Sequence, residues 1–202
     1  VGVTGGMCGG KSTLCDTLRR AGVPAIDCDR LAHTAYAPGT DTHRRLVAAF
    51  GPGVLAADGT VDRRLLGARV FGDPAALATL DSIVWPAVRA AVEQRLAELA
   101  AAAPEPPRVV LVEAALLLEA GYDRDICTGG VWAALVPPDV ACRRLMERNG
   151  LSEQAARARI AAQKPPEFYR QRATRVFDTD RPREEVAADV MAAYEQLLLS
   201  LS

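Results

Sequence analysis

The stretch "VGVTGGMCGGKST" opens the chain and limits its possible folds more than any other feature. A short apolar run, Val1 to Val3, stops in glycines and restarts as a helix former. The pattern predicts a buried strand, a tight loop and a helix from about Lys11 to Arg20. Gly5, then Gly6, Met7, Cys8 and Gly9, then Gly10, Lys11 and Ser12 meet the spacing G-x-x-x-x-G-K-[ST] in that strand-to-helix setting. Small residues let successive backbone N–H groups turn inward around a phosphate, and the positive end of the helix adds to their field. On this reading Gly5 to Thr13 binds a nucleoside triphosphate. Lys11 reaches its β- and γ-phosphates, Ser12 offers a hydroxyl to Mg²⁺, and Thr13 bonds an α-phosphate oxygen. The alternative is a glycine-rich turn that meets the spacing by chance. For Cys8 two readings stand: a thiol that ionises readily at a helix N-terminus, or a small residue tolerated in a loop.

Further along, strand-like and helix-like segments alternate, which predicts an α/β fold with a parallel sheet covered on both faces. "GVPAIDCD" reads as a second strand whose end delivers Asp27 and Asp29, and "DRLAHTAY" as the helix that follows. Asp73 is placed as an N-cap with Pro74 at the first helical position, and Pro86 as the start of an amphipathic helix that ends at "PEPP". "RVVLV" is a buried strand, while "AALLLEAG" suits helix or strand. "GGVWAALV" and "TRVFDT" supply the last strands. Between them one helix begins with Pro137, Pro138 and Asp139 and ends near Asn149-Gly150, and a second is capped by Ser152; Asp180 is expected to cap the terminal helix. Trp85, Trp132 and Phe71 read as core, and His33 and His43 as surface helix residues rather than ligands.

With 24 basic and 25 acidic residues the net charge is -1, so no global field holds nucleic acid or an anionic membrane. No apolar stretch is expected to reach the roughly 18 residues of a membrane span, so no membrane partner is expected. Five cysteines, odd in number and without CxxC spacing, favour reduced thiols in a cytosol-like compartment over a disulfide frame or zinc site. The chain begins inside a strand rather than at an initiator Met, which leaves room for a missing leader.

A phosphate loop does not by itself distinguish a kinase from a GTPase. The only asparagine is Asn149, followed by Gly150, so the guanine-reading Asn-Lys-x-Asp pattern is absent. Asp27 and Asp29, two apart on an extended segment, face one pocket, where a carboxylate orients and deprotonates an attacking hydroxyl. The competing reading makes one of them a helix N-cap. From Asp139 to Arg175 nine basic residues stand against four acidic ones. Among them Arg144 and Arg148, four apart, share a helix face suited to clamping phosphates, and the helix pair around Asn149-Gly150 makes a lid.

The stretches "TGGMCGGKST", "AIDCDRLAHTAYAPG", "AAFGPGVLAADGTVDRRLLGARVFGDP", "ALLLEAG", "RRLMERNGLS" and "ARIAAQ" run almost end to end. On them the chain resembles the dephospho-CoA kinase family. The resemblance implies a P-loop NTPase fold in three layers, with a parallel β-sheet core, a helical acceptor-binding region and a helical lid. It implies one kinase domain over residues 1–202, with core at about 1–30, 105–138 and 173–202, acceptor region at about 31–104 and lid at about 139–172. It also implies transfer of the γ-phosphoryl of MgATP to the ribose 3'-hydroxyl of dephospho-CoA in the cytoplasm, with small-molecule substrates and no nucleic acid. Asp29 is then the base, Lys11, Arg144 and Arg148 act beside it, and Ser12 and Glu113 serve the metal. Asp27, Asp29, Phe50, Arg63 and Leu116 meet the acceptor.

Some positions depart from the family's usual pattern: Glu113 for Asp, Ala115 for Pro, Trp85 for the His before Pro86, Thr174 for the Asp of a late Ala-Asp pair, and Thr179 for the Asn that follows it. A nucleoside or nucleotide kinase of related fold, and a nucleotide-binding regulator without transfer activity, are the alternatives.

Overall fold

Strand β1 (Gly2–Gly5) is buried at all four positions. A strand with no exposed face must have neighbours on both edges and a layer on both sides, which is the requirement of a central parallel strand. The structure, a computed structural model, describes residues 1–102 and 104–201; Ala103, in the alanine-rich tract, and Ser202 lie outside the described residues. After β1 come α1 (Lys11–Arg20), β2 (Ala25–Asp27), α2 (Cys28–Ala35), α3 (Asp41–Phe50), a 3₁₀ turn (Pro52–Val54), α4 (Arg63–Val70) and α5 (Pro74–Ala101). The second half adds β3 (Leu111–Glu113), β4 (Val131–Leu135), α6 (Pro138–Asn149), α7 (Glu153–Ala161), α8 (Pro166–Arg172), β5 (Arg175–Asp178) and α9 (Arg183–Ser200). The five strands form one parallel α/β sheet in the order β2-β3-β1-β4-β5, with Gly2 level with Val112 on one side and Val131 on the other. The chain leaves the carboxyl end of β1 at the switch point of this order, where open α/β sheets bind ligands.

The described chain forms two compact units, Val1–Ile26 with Ala102–Ser202, and Asp27–Ala101. In the first, α1 and α9 pack together and onto the sheet. Leu14, Cys15 and Leu18 of α1 join Val3, Leu111, Trp132, Phe177, Val186 and Val190 in one core. Trp132 and Phe177 meet at 5.4 Å between ring centroids across β4 and β5. The second unit has its own small core of Val54, Leu66 and Val70, with Phe50, Val61 and Leu80 packed against it. Its helices start on side-chain caps: Thr40 accepts from His43 N–H, Asp62 from Arg64 and Leu65 N–H, and Asp73 from Ala75 and Ala76 N–H.

Several expectations from the sequence do not hold in the fold. Asp29 is not on an extended segment with Asp27, because α2 starts at Cys28 and puts Asp29 in its first turn. Pro86 lies inside α5 and does not start a helix; the proline gives up one helical bond while the flanking turns continue. Phe71, read as core, is 87% exposed. Asp180 does not cap α9, which starts at Arg183 after Pro182. "AALLLEAG" is neither helix nor strand but a run of turns. One described helix, α5, is long and apolar enough to cross a membrane by length and composition alone. Alanine raises its average although charges interrupt it, and it carries the ion pairs Arg89–Glu93 and Arg95–Glu98.

Leu18 is fully buried in the core that α1 and α9 share. Leu18→Ala is expected to lower stability by about 2–5 kcal/mol, read as a fall in the denaturant midpoint. A loss below about 1 kcal/mol would show that this seam does not hold the sheet's cover in place.

Candidate active site

Two close backbone approaches shape the loop after β1. At Gly5 (φ 156°) a Cβ would stand 2.3 Å from the Ala134 carbonyl oxygen of β4, and at Gly10 (φ 86°) 2.5 Å from Thr179 Oγ1. Only glycine fits either place. Between them Gly9 N–H donates to Gly6 C=O at 2.9 Å and closes the turn. Gly10 is also the N-cap of α1 and brings no side-chain cap. Helix α1 thus starts without a side-chain cap from Gly10, and the positive end of a helix favours an anion. Cys8 takes a left-handed φ of 58° and packs beside Cys142, Leu145 and Ala156. Its environment is that of a small packing residue.

Lys11 stands at the first position of α1, with Nζ 3.1 Å from Glu113 Oε1. The other oxygen, Oε2, accepts from Arg19 Nη2 at 2.6 Å. Burial alone would raise the Glu113 pKa, but Lys11 and Arg19 outweigh it and hold the carboxyl below its usual range. Beneath them burial, reinforced by Glu113, pushes the Cys15 thiol far up, so it stays protonated and inert. Ser12, next to Lys11, is exposed, and Thr13 N–H bonds Gly10 C=O at 2.9 Å.

On one flank of the loop, Thr179 is buried and its hydroxyl donates to Gly9 C=O at 2.7 Å. Arg144 of α6 donates to Thr179 C=O at 2.8 Å and to Cys8 C=O at 3.3 Å, which fastens α6 to the loop. Arg148, one turn on, is exposed and bonds Asn149 Oδ1 at 3.0 Å. The structure thus brings Arg144 to the loop but not Arg148. On the other flank Gln163 Oε1, just past α7, accepts from Met7 N–H at 2.5 Å. Thr174 acts elsewhere, where its hydroxyl bonds both the N–H and the C=O of Val131 and pins the start of β5 to β4.

Asp27 ends β2 and caps α2, accepting from Arg30 N–H at 2.9 Å; Asp29 follows in the first turn. Phe50 packs against the core of the second unit. Arg63 opens α4, exposed, and donates to His33 Nε2. His43 Nε2 bonds Gly59 C=O at 2.9 Å. Leu116, in the turns after β3, is 52% exposed, and Ala115 C=O accepts from Thr4 Oγ1 at 3.2 Å. Sequence reasoning missed Arg19 and Gln163 as neighbours of the loop's charge and amides. The only signal for Gln163 was its place in "ARIAAQ", 156 positions from Met7.

Glu113 is held ionised by two cations, so its contribution to stability is complete above the ordinary carboxylate pKa of about 4.3 and fades as pH falls through its lower folded value. Glu113→Gln is expected to melt below the parent at pH 7, with the gap narrowing below about pH 4. Equal melting at pH 7 would count against the linkage. Thr179→Val leaves Gly9 C=O without its buried donor and is expected to cost about 1–3 kcal/mol of stability, seen by thermal denaturation.

Similarity to known proteins agrees with this geometry. The sequence model of the dephospho-CoA kinase family matches residues 1–185. The dephospho-CoA kinase of Geobacillus kaustophilus is 40% identical over 196 residues, 97% of this chain and 95% of the relative. That of Geobacter sulfurreducens is 42% identical over 186 residues, 92% of each. Among solved structures, TT1252 from Thermus thermophilus superposes with a TM-score of 0.78 at 33% identity, over 97% of this chain and 96% of that one. A dephospho-CoA kinase from Campylobacter jejuni, at 22% identity over 97% of this chain and 95% of that one, shares the fold with a TM-score of 0.60. A match that starts in β1 and ends in α9 takes in the loop, Glu113, Arg144 and Gln163 alike: the chain belongs to the dephospho-CoA kinase family.

Proposed function

We propose that this chain transfers the γ-phosphoryl group of ATP to the ribose 3'-hydroxyl of dephospho-CoA, giving coenzyme A and ADP as the last step of coenzyme A synthesis. One observation carries the reading: the family match over residues 1–185. The loop at its head agrees with it, since it keeps amides without a side-chain cap next to Lys11. ATP lies along Gly5 to Thr13, with Gly6, Met7, Cys8, Gly9 and Gly10 lining its phosphates. Lys11 leaves Glu113 for the β- and γ-phosphates, exchanging one anionic partner for another.

Mg²⁺, when bound, draws charge from the phosphates. Among the described residues no three His, Cys, Asp or Glu side chains gather where they would cage a metal. That suits Mg²⁺, which keeps several waters and takes one or two protein oxygens beside substrate phosphates. Ser12 would supply one, and Glu113 Oε1, once Lys11 has moved, a second.

Asp29 accepts the proton of the 3'-hydroxyl. The oxygen then bonds the γ-phosphorus, and the bond from that phosphorus to the β-phosphate oxygen breaks. Because the transition state is loose, the base acts as much by aiming the hydroxyl as by its affinity for the proton. Asp27 caps α2, and Asp29 follows it in the first turn. Arg144 offsets the charge passing to ADP, and Arg148 joins it when residues 139–172 act as a lid, which keeps water from the phosphate. Asp27, Phe50, Arg63 and Leu116 contact the acceptor, which residues 31–104 help to bind. The reaction is cytoplasmic, between small molecules, without nucleic acid or membrane.

An ADP-release assay across candidate acceptors tests the assignment. Dephospho-CoA is expected to be used, and turnover with a nucleoside but none with dephospho-CoA would end it. Asp29→Asn is expected to lower kcat by about 10²–10⁴ while the KM for ATP stays within about twofold. Unchanged turnover would remove Asp29 from the chemistry.

A further inference from the structure

The two flanks of the phosphate loop differ. On the Gly10 side Thr179 and Arg144 lie against the backbone, and Thr13, toward the α-phosphate end, follows into α1. On the Gly6 side lies a cavity of about 420 Å³. That volume is within the roughly 300–1,000 Å³ of pockets that enclose small molecules. Its walls are mainly apolar, with Met7, Pro138, Ile160, Pro165 and Tyr169 around Gly6 and Gln163 at the loop. The wall made by α8 is braced: Arg172 forms a bidentate pair with Asp123 at 2.7–3.1 Å and lies over the Phe168 ring at 5.1 Å. Tyr169 is buried, and its phenol is pushed up to about 12 by burial and by Glu119, so at neutral pH it stays a protonated hydroxyl that both donates and accepts.

The occupant follows from the chemistry of the reaction, and so rests on the function proposed above. In the acceptor, the reacting oxygen sits on C3' and the adenine on C1' of the same five-membered ring. The base must therefore lie within one sugar's width of the phosphate being transferred. The donor's base lies beyond two further phosphates and a ribose from that phosphate, past the Thr13 end of the loop. A mainly apolar cavity of about 420 Å³ against Gly6 and Met7, at the opposite end, has the volume and polarity for the nearer base. We infer that this cavity receives the adenine ring of the acceptor, with its walls from α6, α7 and α8 setting acceptor specificity.

Ala161 lines the cavity and is otherwise exposed, so a larger side chain there fills the cavity without crowding the core. Ala161→Trp is expected to raise the KM for dephospho-CoA more than about tenfold while the KM for ATP stays within about twofold. Ile160→Ala, which widens the cavity, keeps the test open if the tryptophan disturbs α7; it is expected to raise the acceptor KM about threefold and leave ATP unaffected. A rise in the ATP KM alone would place the donor's base in the cavity and overturn the inference, as would two unchanged KM values in an active variant. A parent protein that turns over dephospho-CoA, with variants of parental acceptor KM, overturns the cavity assignment alone. A parent that ignores dephospho-CoA overturns the proposed function, and this inference with it.

Discussion

The absence of a side chain at Gly10 underlies the site. A residue with a Cβ there would collide with Thr179, and one with a capping oxygen would bring a side-chain acceptor to the start of α1, which Gly10 does not. The loop therefore gives up a side-chain helix cap, worth about 1 kcal/mol in an ordinary helix. The cost is offset by tertiary contacts that hold the loop from outside. Thr179 bonds Gly9, Arg144 bonds Cys8 and Gln163 bonds Met7, each from a segment more than a hundred positions away. Such a loop is organised before any ligand arrives, as electrostatic stabilisation of a transferring phosphate requires.

The Lys11–Glu113–Arg19 group answers a second demand. A half-buried lysine without a counter-ion is an uncompensated charge, and burial makes that costly. Glu113 compensates Lys11, and Arg19, bonded to its other oxygen, shares in keeping Glu113 ionised. A longer side chain than aspartate at this position lets one carboxylate reach both cations. The threonine departures likewise have partners in the fold, Thr174 at the β4–β5 pairing and Thr179 at the loop. Neither place needs the family's usual Asp or Asn to be satisfied.

Local patterns carried the fold a long way. The strand, loop and helix at the head of the chain, the Asp73 cap, the Ser152 cap and the Asn149-Gly150 stop all appear where the residues imply them, because each depends on neighbours within four positions. Errors came where local rules compete. Asp27 and Asp29 looked like one strand face, but a carboxylate followed by helix formers nucleates a helix at once, so Asp27 became its cap. Pro86 looked like a helix start, yet α5, which packs against α2, α3 and α4, continues through it. Phe71 looked like core from its type alone, and it sits just past the end of α4, largely in solvent.

The sequence by itself determined the phosphate loop and the alternation that leads to a parallel sheet, since both rest on residue spacing and backbone freedom within short windows. It also held the family pattern, spread over nearly the whole chain. Only the tertiary structure decided which side chains surround the loop. Glu113, Thr179, Arg144 and Gln163 arrive from strands and helices far along the chain, and Arg148, four residues from Arg144, does not reach it. Sheet order and helix packing bring them there, and long-range geometry of that kind leaves no periodic trace in a single sequence.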